Sequence, residues 1–154
     1  MKPNGISLAF IFIFLIITIQ SCEKDSNEKE SKISHFNEVK SHNESRNCME
    51  CHIEGGSGEG WFSVAGTVYN RQLTIPLKNV IVILSSGPEG TGEVIERIEG
   101  DGKGNFFTTE TVLFGEGLYV SVEGSAAIKY MQSPIMNGEC NACHSNTTSK
   151  IWTE

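Results

Sequence analysis

Apolar positions are distributed very unevenly along this chain. Residues 6–19 form an almost unbroken apolar run, and residues 23–47 are charged or small polar residues with only three apolar ones among them. From residue 61 to residue 131, short stretches of β-branched and aromatic residues alternate with clusters rich in glycine, serine and acidic residues. This pattern predicts short β-strands joined by turns. We therefore expect one β-domain behind a long N-terminal extension.

The predicted β-domain contains six candidate strands. Residues 80–84 are all apolar, as expected for a central strand that is buried on both faces, whereas residues 118–123 alternate between apolar and polar. The other four stretches are residues 64–69, 93–99, 105–114 and 126–132. Nothing in this region has a helical period, and short strands with such turns are typical of a sandwich. The predicted fold class is all-β, a six- to seven-stranded antiparallel sandwich over residues 61–132.

The N-terminal apolar run has the features of a secretory leader. It follows Lys2 and is shorter than the roughly 20 residues that a membrane-spanning helix needs. The residues that follow it, Ile19-Gln20-Ser21-Cys22, resemble a bacterial lipobox, in which cleavage exposes the cysteine for acylation. We predict a lipoprotein signal peptide over residues 1–21 and lipidation of Cys22. An uncleaved anchor, or an ordinary signal peptide followed by an unmodified cysteine, remains an alternative.

Charge restricts the possible partners. The chain has 12 Lys and Arg residues against 19 Asp and Glu residues, a net charge of −7, and loss of Lys2 with the leader makes it one unit more negative. Such a chain lacks the basic surface that nucleic acids and anionic lipid headgroups attract. We therefore expect no nucleic acid as a partner, and membrane attachment only through a lipid anchor.

The five cysteines fall into one single residue and two pairs. Lipidation of Cys22 would account for the single one. The pairs lie in Cys48-Met49-Glu50-Cys51-His52 and Cys140-Asn141-Ala142-Cys143-His144, two copies of C-x-x-C-H. This motif is typical of covalent haem c attachment, in which both thiols add to the porphyrin vinyl groups and the histidine ligates the iron. We predict two covalently bound haem c groups, held by Cys48, Cys51, Cys140 and Cys143, with His52 and His144 as axial ligands.

Two other uses of the cysteine pairs stay open. Four cysteines could bind one structural zinc ion, and each pair could form a local disulfide in an oxidising compartment. Neither alternative gives a role to the histidine that follows each pair. A thioredoxin-like redox role would need a βαβ context, which this sequence does not have.

The sixth ligands of the two irons are predicted from the remaining histidines. His35 and His42 are seven residues apart, close to two helical turns, and apolar residues recur every three positions around them. This spacing predicts a short helix within the acidic tether, residues 22–47, with both histidines on one side. Four histidines would then complete two bis-histidine haems. Met131 and Met136 are alternative ligands, and both histidines could instead be solvated.

Part of the chain also resembles a known family of β-sandwiches. Residues 62–125 resemble prealbumin-like, carboxypeptidase-regulatory-like domains. The resemblance lies in Gly66-Thr67-Val68-Tyr69, Pro76-Leu77-Lys78-Asn79-Val80-Ile81-Val82, Asp101-Gly102-Lys103-Gly104-Asn105-Phe106 and Gly117-Leu118-Tyr119-Val120-Ser121-Val122. The whole arrangement resembles bacterial lipoproteins that carry such a sandwich between two haem c motifs. This implies a prealbumin/Ig-like fold and a haem cofactor, without defining a reaction.

The expected domain organisation follows from these features. After the tether, residues 48–60 contain the first haem c motif and a glycine-rich link, residues 61–132 the sandwich, and residues 133–154 the second motif and a tail. An even number of antiparallel strands returns the chain to the end where it entered. We therefore expect both haem segments at the same end of the sandwich.

The expected function is one-electron transfer by a lipid-anchored di-haem c-type cytochrome in the bacterial cell envelope, on the periplasmic or surface side. No set of acid, base and nucleophile is found, which favours an electron carrier over an enzyme. The expected partner is a redox protein or multi-haem complex with a basic docking face, because the chain and its haem propionates are acidic. A haem enzyme with one open iron site, and a non-haem surface binding or scaffold lipoprotein, are the alternatives.

Overall fold

The computed structural model describes residues 32–145 and 148–154. The predicted signal peptide and Cys22 lie outside the described residues. Within the described ranges, no helix combines the length and apolar character needed to cross a membrane.

Strands dominate the described part of the chain, as the sequence predicts. They are β1 (Val64–Tyr69), β2 (Ile81–Ser85), β3 (Val94–Glu99), β4 (Asn105–Thr108), β5 (Tyr119–Glu123), β6 (Ile128–Tyr130), β7 (Gly138–Glu139) and β8 (Ile151–Trp152). One short helix, α1, spans Cys140–His144, and single 3₁₀ turns cover Cys48–Glu50 and Pro88–Gly90. The first six strands fall on the six predicted stretches. The all-β class is therefore confirmed.

The strands form two sheets around a shared core. In one sheet β1 lies between antiparallel β4 and the parallel strands β7 and β8, and in the other the order is β3-β2-β5-β6, with every pair antiparallel. The apolar cluster between them contains Val64, Val68, Val80, Val82, Leu84, Ile98, Phe106, Val112, Leu118 and Val122. In β2, Val82 and Leu84 are fully buried while Ile81 and Ile83 are only half-buried. The uniformly apolar β2 therefore buries one face more deeply than the other.

The predicted tether helix is wrong for residues 32–47, which contain no helix. Instead, Ile33 pairs antiparallel with Thr108 of β4, and the Ser34 N–H donates to the Phe107 carbonyl at 3.0 Å. Asn37 then takes a left-handed conformation with φ of 64°. The exposed edge of β4 thus satisfies this segment's backbone groups in an extended form, which the three-residue spacing of its apolar side chains did not indicate.

The second C-x-x-C-H motif interrupts a strand. β7 pairs with β1 up to Ala65↔Glu139, and pairing resumes at Val68↔Ile151. Between these two pairings, α1 forms an excursion opposite only Gly66 and Thr67 of β1. At the root of this excursion, a Cβ on Gly66 would lie 2.5 Å from Cζ of Phe106 and 3.0 Å from Cβ of Cys140. Glycine at this position therefore lets α1 pack directly onto the β1 backbone.

Two leucines provide a matched test of this core. Leu84 is fully buried and Leu113 is 78% exposed. Leu84→Ala should lower the free energy of unfolding by about 2–5 kcal/mol, because it removes buried surface and leaves a cavity. Leu113→Ala should change it by less than about 0.5 kcal/mol. Guanidinium unfolding of the haem-loaded protein, followed by tryptophan fluorescence, measures both, and equal losses would contradict this assignment of the core.

Candidate functional site

The first motif is a tight turn in front of β1. Cys48–Glu50 forms a 3₁₀ turn, and the Asn47 side-chain oxygen accepts a hydrogen bond from the Met49 N–H at 3.2 Å. The His52 N–H donates to the Cys48 carbonyl at 3.0 Å. These bonds satisfy backbone groups of the turn and connect His52 directly to the first cysteine. Cys51 is exposed, while Cys48 and His52 are half-buried.

Hydrogen bonds fix the orientation of the His52 ring. Its Nδ1 lies 2.9 Å from the Glu59 carbonyl and 3.2 Å from the Gly60 carbonyl. Because carbonyl oxygens only accept, Nδ1 carries the proton and Nε2 keeps a free lone pair. The ring also stacks on Phe62, with centroids 4.1 Å apart, and Phe62 stacks on Phe107. In metal sites, the ring nitrogen that does not bind the metal usually donates a hydrogen bond to a carbonyl or carboxylate, and Nδ1 of His52 has such a partner.

The second motif orients its histidine in the same way. The motif forms α1, and Nδ1 of His144 lies 2.6 Å from the Ser149 carbonyl and 3.1 Å from Oγ1 of Thr148. The carbonyl again places the proton on Nδ1 and leaves Nε2 as the available ligand atom. The two motif histidines are therefore oriented by carbonyls from different stretches of backbone, and each has Nε2 available as a ligand atom.

The two motifs are bonded to each other. Asn141 is 2% exposed, and its Nδ2 donates to the Arg46 carbonyl at 2.8 Å and to Oγ1 of Thr67 at 3.1 Å. Its Oδ1 accepts from the Thr67 N–H at 3.0 Å. Nearby, Nδ2 of Asn47 donates to Oε2 of Glu139 at 3.1 Å. The residues directly before Cys48 and Cys140 are thus in contact beside β1.

The position of the second motif and the residues that join it to the first were not predicted from the sequence. The six strands within residues 61–132 match the expected even count, but a seventh strand, β7, leads directly into the second motif. That motif therefore lies at the side edge of the β1 sheet and not at an end of the sandwich. Asn141, Glu139 and Thr67 were not expected to matter. The two positions between the cysteines of the motif carry no chemical requirement, so no signal distinguished Asn141 from Met49.

Burial changes the acidity of the inner thiols. Burial, with smaller contributions from the neighbouring Cys48 and Cys143, raises the pKa of the Cys140 thiol to about 12. Burial also raises the pKa of Cys48. In each motif the first cysteine therefore remains a neutral thiol at physiological pH. The influence of Cys48 on Cys140 also reflects how close the two motifs are.

Each motif borders a cavity of a size typical of cofactor sites. The first cavity, about 920 Å³, lies beside Cys51 and His52 and is lined by Phe62 and Phe107. The second, about 700 Å³, contacts Cys140, Cys143 and His144 and is walled by Phe106, Val120, Val122, Ile135, Ile151 and Trp152. The second cavity is mostly apolar, whereas the first combines its two phenylalanines with polar and charged side chains such as Lys32, Lys40 and Glu59. In each motif, the paired thiols and the oriented histidine form the donor set that haem c attachment requires, so the motif residues fit that cofactor.

Both spare histidines lie at the first cavity. His35 and His42 line it together with His52, and neither lines the second cavity. The His42 ring centroid is 5.9 Å from that of His52, with the rings tilted by 37°. His35 is also close to a carboxylate, with its Nδ1 3.5 Å from Oε2 of Glu99. Met131 and Met136 line the second cavity. The four histidines are therefore divided three to one between the motifs.

The alternative uses of the cysteines find no support in the geometry. In residues 32–145 and 148–154, no three side chains of His, Cys, Asp or Glu converge as ligands of one metal ion. The structure forms no disulfide among the four motif cysteines.

One comparison with known proteins bears on this site. Residues 16–72, which include the first C-x-x-C-H motif and β1, match a family model. The match supports a c-type cytochrome, the class in which covalently bound haem c serves electron transfer. The model is described as cytochrome c554 and c-prime, and its match ends before the second motif. Comparisons with curated proteins and with solved structures gave no match.

Thiol reactivity tests the arrangement of the cysteines. In protein produced without haem, iodoacetamide at pH 8 should modify the exposed Cys51 faster than Cys140, because the thiolate is the nucleophile and burial keeps the Cys140 pKa at about 12. Below that pKa, the Cys140 rate should rise about tenfold per pH unit. Peptide mass spectrometry of quenched time points gives both rates. In urea the two rates should converge, and equal rates without urea would contradict the buried position of Cys140.

Proposed function

We propose that this protein is a di-haem c-type cytochrome that transfers one electron at a time. The observation that carries the proposal is that each of the two C-x-x-C-H motifs has a histidine with Nδ1 bonded to a backbone carbonyl, beside its own cavity. When bound, haem c supplies an iron that cycles between the ferric and ferrous states.

Each motif residue has a defined role in this proposal. Cys48 and Cys51 hold one haem by thioether bonds, and Cys140 and Cys143 hold the other. His52 and His144 ligate the irons through Nε2. The hydrogen bonds from their Nδ1–H groups to carbonyls make Nε2 a stronger electron donor. The aromatic and aliphatic walls of the second cavity would limit solvent access to its iron and so influence the reduction potential there.

Direct exchange between the two haems is part of the proposal. The support is the contact between the motifs through Asn141 and through the Asn47–Glu139 bond. These bonds connect the residues next to both attachment cysteines to the same strand, β1. Both haems would therefore keep one fixed separation within the chain.

The sandwich acts as the frame for this pair, and we assign it to the prealbumin-like type. The two four-stranded sheets around one core support that assignment, and two of the resembling segments fall on β1 and β4. No described side chains form a set of acid, base and nucleophile, and the sandwich is given no catalytic role.

The location and partner complete the proposal. Cys22 would be acylated after cleavage of residues 1–21, which would anchor the protein in the bacterial cell envelope through a tether that ends in the edge pairing at Ile33. The partner would be a redox protein or multi-haem complex with a basic face. The net charge of −7, made more negative by haem propionates, is the reason for that choice.

Haem counting tests the proposal directly. Protein matured with a haem c attachment system should contain two covalent haems per chain by the pyridine haemochrome spectrum and by mass spectrometry of the denatured chain. Replacing Cys48 and Cys51 by serine should leave one haem, as should replacing Cys140 and Cys143, and the fourfold variant should have none. A wild-type chain with a single haem, or with zinc and no haem, would refute the proposal.

Ionic strength tests the docking charge. With a basic mono-haem cytochrome c as the probe, the second-order rate of electron exchange should fall at least about tenfold between about 0.01 M and 0.15 M salt, because screening shortens the range of attraction. An acidic redox protein of similar size is the control, and its rate should stay level or rise. A basic probe whose rate does not depend on salt would contradict an acidic docking surface.

A further inference from the structure

The four histidines are divided unequally between the two cavities. His35, His42 and His52 line the first cavity, and His144 is the only one of the chain's four histidines at the second. Metal–imidazole bonds are about 2 Å long, so an iron between two facing imidazole rings separates their centroids by roughly 6 Å. The 5.9 Å between His42 and His52 is of that size. A histidine pair is therefore available at the first motif alone.

The nitrogen donors at the second cavity are engaged elsewhere. Nζ of Lys129 lies 4.2 Å from the Trp152 ring centroid, and Nζ of Lys150 lies 3.8 Å from that of Tyr69. Lys150 also donates to the Leu73 carbonyl at 3.3 Å. Each contact is a cation–π contact of an ammonium group, which has no lone pair for a metal.

Tyr130, the tyrosine at this cavity, also packs against another part of the chain. β6 places Tyr130 opposite Ser121, and a Cβ on Gly90 would lie 3.2 Å from Cε1 of Tyr130 and 3.6 Å from its hydroxyl. The ring therefore packs on the turn at Gly90. Glu139 also lines this cavity, and its Oε2 accepts a hydrogen bond from Nδ2 of Asn47. The thioether sulfur of methionine is a soft donor suited to haem iron.

The strand register separates the two methionines. The Met131 N–H donates to the Val120 carbonyl at 2.8 Å, which extends the β5–β6 pairing by one residue. Because Lys129 is opposite Val122, alternation places Met131 on the same face as Val120 and Val122, the two β5 residues that wall the second cavity. Met131 is half-buried there. Met136 is 61% exposed, and a Cβ on Gly117 would lie 3.2 Å from its sulfur.

We propose that Met131 is the sixth ligand at the second motif, opposite His144, while His42 is the sixth ligand at the first, opposite His52. This inference rests on the proposed function, since it requires haem at both motifs. It assigns one bis-histidine and one histidine–methionine centre to the same small chain.

Different sixth ligands at the two irons would give electron transfer between them a direction. Methionine ligation raises the reduction potential relative to a second histidine, so the second iron holds an electron more strongly. With haem bound, an electron from a protein redox donor would pass from the iron held by His52 and His42 to the iron held by His144 and Met131. The first iron would be oxidised from ferrous to ferric as the second was reduced from ferric to ferrous, with no proton or further reactant. The first motif would then be the entry site and the second the exit site.

Spectroscopy of the wild-type protein gives the primary test. Near-infrared magnetic circular dichroism of the ferric protein distinguishes histidine–histidine from histidine–methionine ligation by the energy of the charge-transfer band. We expect one band of each kind with equal intensity, and two unequal potentials in a spectroelectrochemical titration. Two histidine–histidine bands, or a band typical of histidine–lysine, would overturn the inference.

Matched variants identify the ligands. Met131→Leu keeps the volume and removes the sulfur, and should abolish the histidine–methionine band, whereas Met136→Leu should leave it intact. Met131→His should restore a six-coordinate low-spin centre with a lower potential. His42→Ala should change only the histidine–histidine band, with His35→Ala as its control. The band surviving in Met131→Leu, or disappearing in Met136→Leu, would refute the role of Met131.

The haem count separates this inference from the function on which it rests. Pyridine haemochrome analysis of each variant should still give two covalent haems. A wild-type count below two would refute the proposed function itself. A count of two with identical ligation at both irons would refute only the asymmetry proposed here.

Discussion

The arrangement depends on the hydrogen bonds of one buried amide. Asn141 uses its oxygen and both of its amide hydrogens on the backbone and hydroxyl of Thr67 and on the Arg46 carbonyl. Those groups belong to the second cysteine motif, the central strand β1 and the segment that precedes the first motif. A buried amide left unsatisfied costs about 1–3 kcal/mol for each lost partner, so this geometry is strongly preferred over a shifted one. Thr67 is itself fixed, because its hydroxyl donates to Oδ1 of Asn105 on β4 at 2.7 Å.

Much of the sandwich could be predicted from local pattern. The alternation in residues 118–123 and the apolar run at 80–84 identify β5 and β2, because a half-buried strand must alternate and a central one must bury both faces to some degree. Haem c attachment could also be predicted, because it requires two cysteines and a histidine at the spacing of C-x-x-C-H. In both cases the information lies within a few consecutive residues, and nothing distant can override it.

Other features depend on partners that are distant in sequence. The His35 segment has a helical spacing, but its backbone bonds to the free edge of β4, where it pairs at Ile33 before it turns at Asn37. The positions of Met131 and His42 also could not be ranked as ligands from spacing alone. Their assignment to different cavities follows from the β5–β6 register and from the path of the extended tether, which are both tertiary facts.

The interruption between β7 and β8 also affects the order in which parts of the chain fold. β7 and β8 reach β1 only after the chain has closed a loop from Val64 to Gly138, and such long-range pairing is slow to form. Once it has formed, Cβ of Cys140 packs against Gly66 and the side chain is half-buried at the second cavity. Under the proposed function, its thiol would therefore be most accessible for haem attachment before the C-terminal segment docks. The topology of the sheet would then influence when the second motif matures.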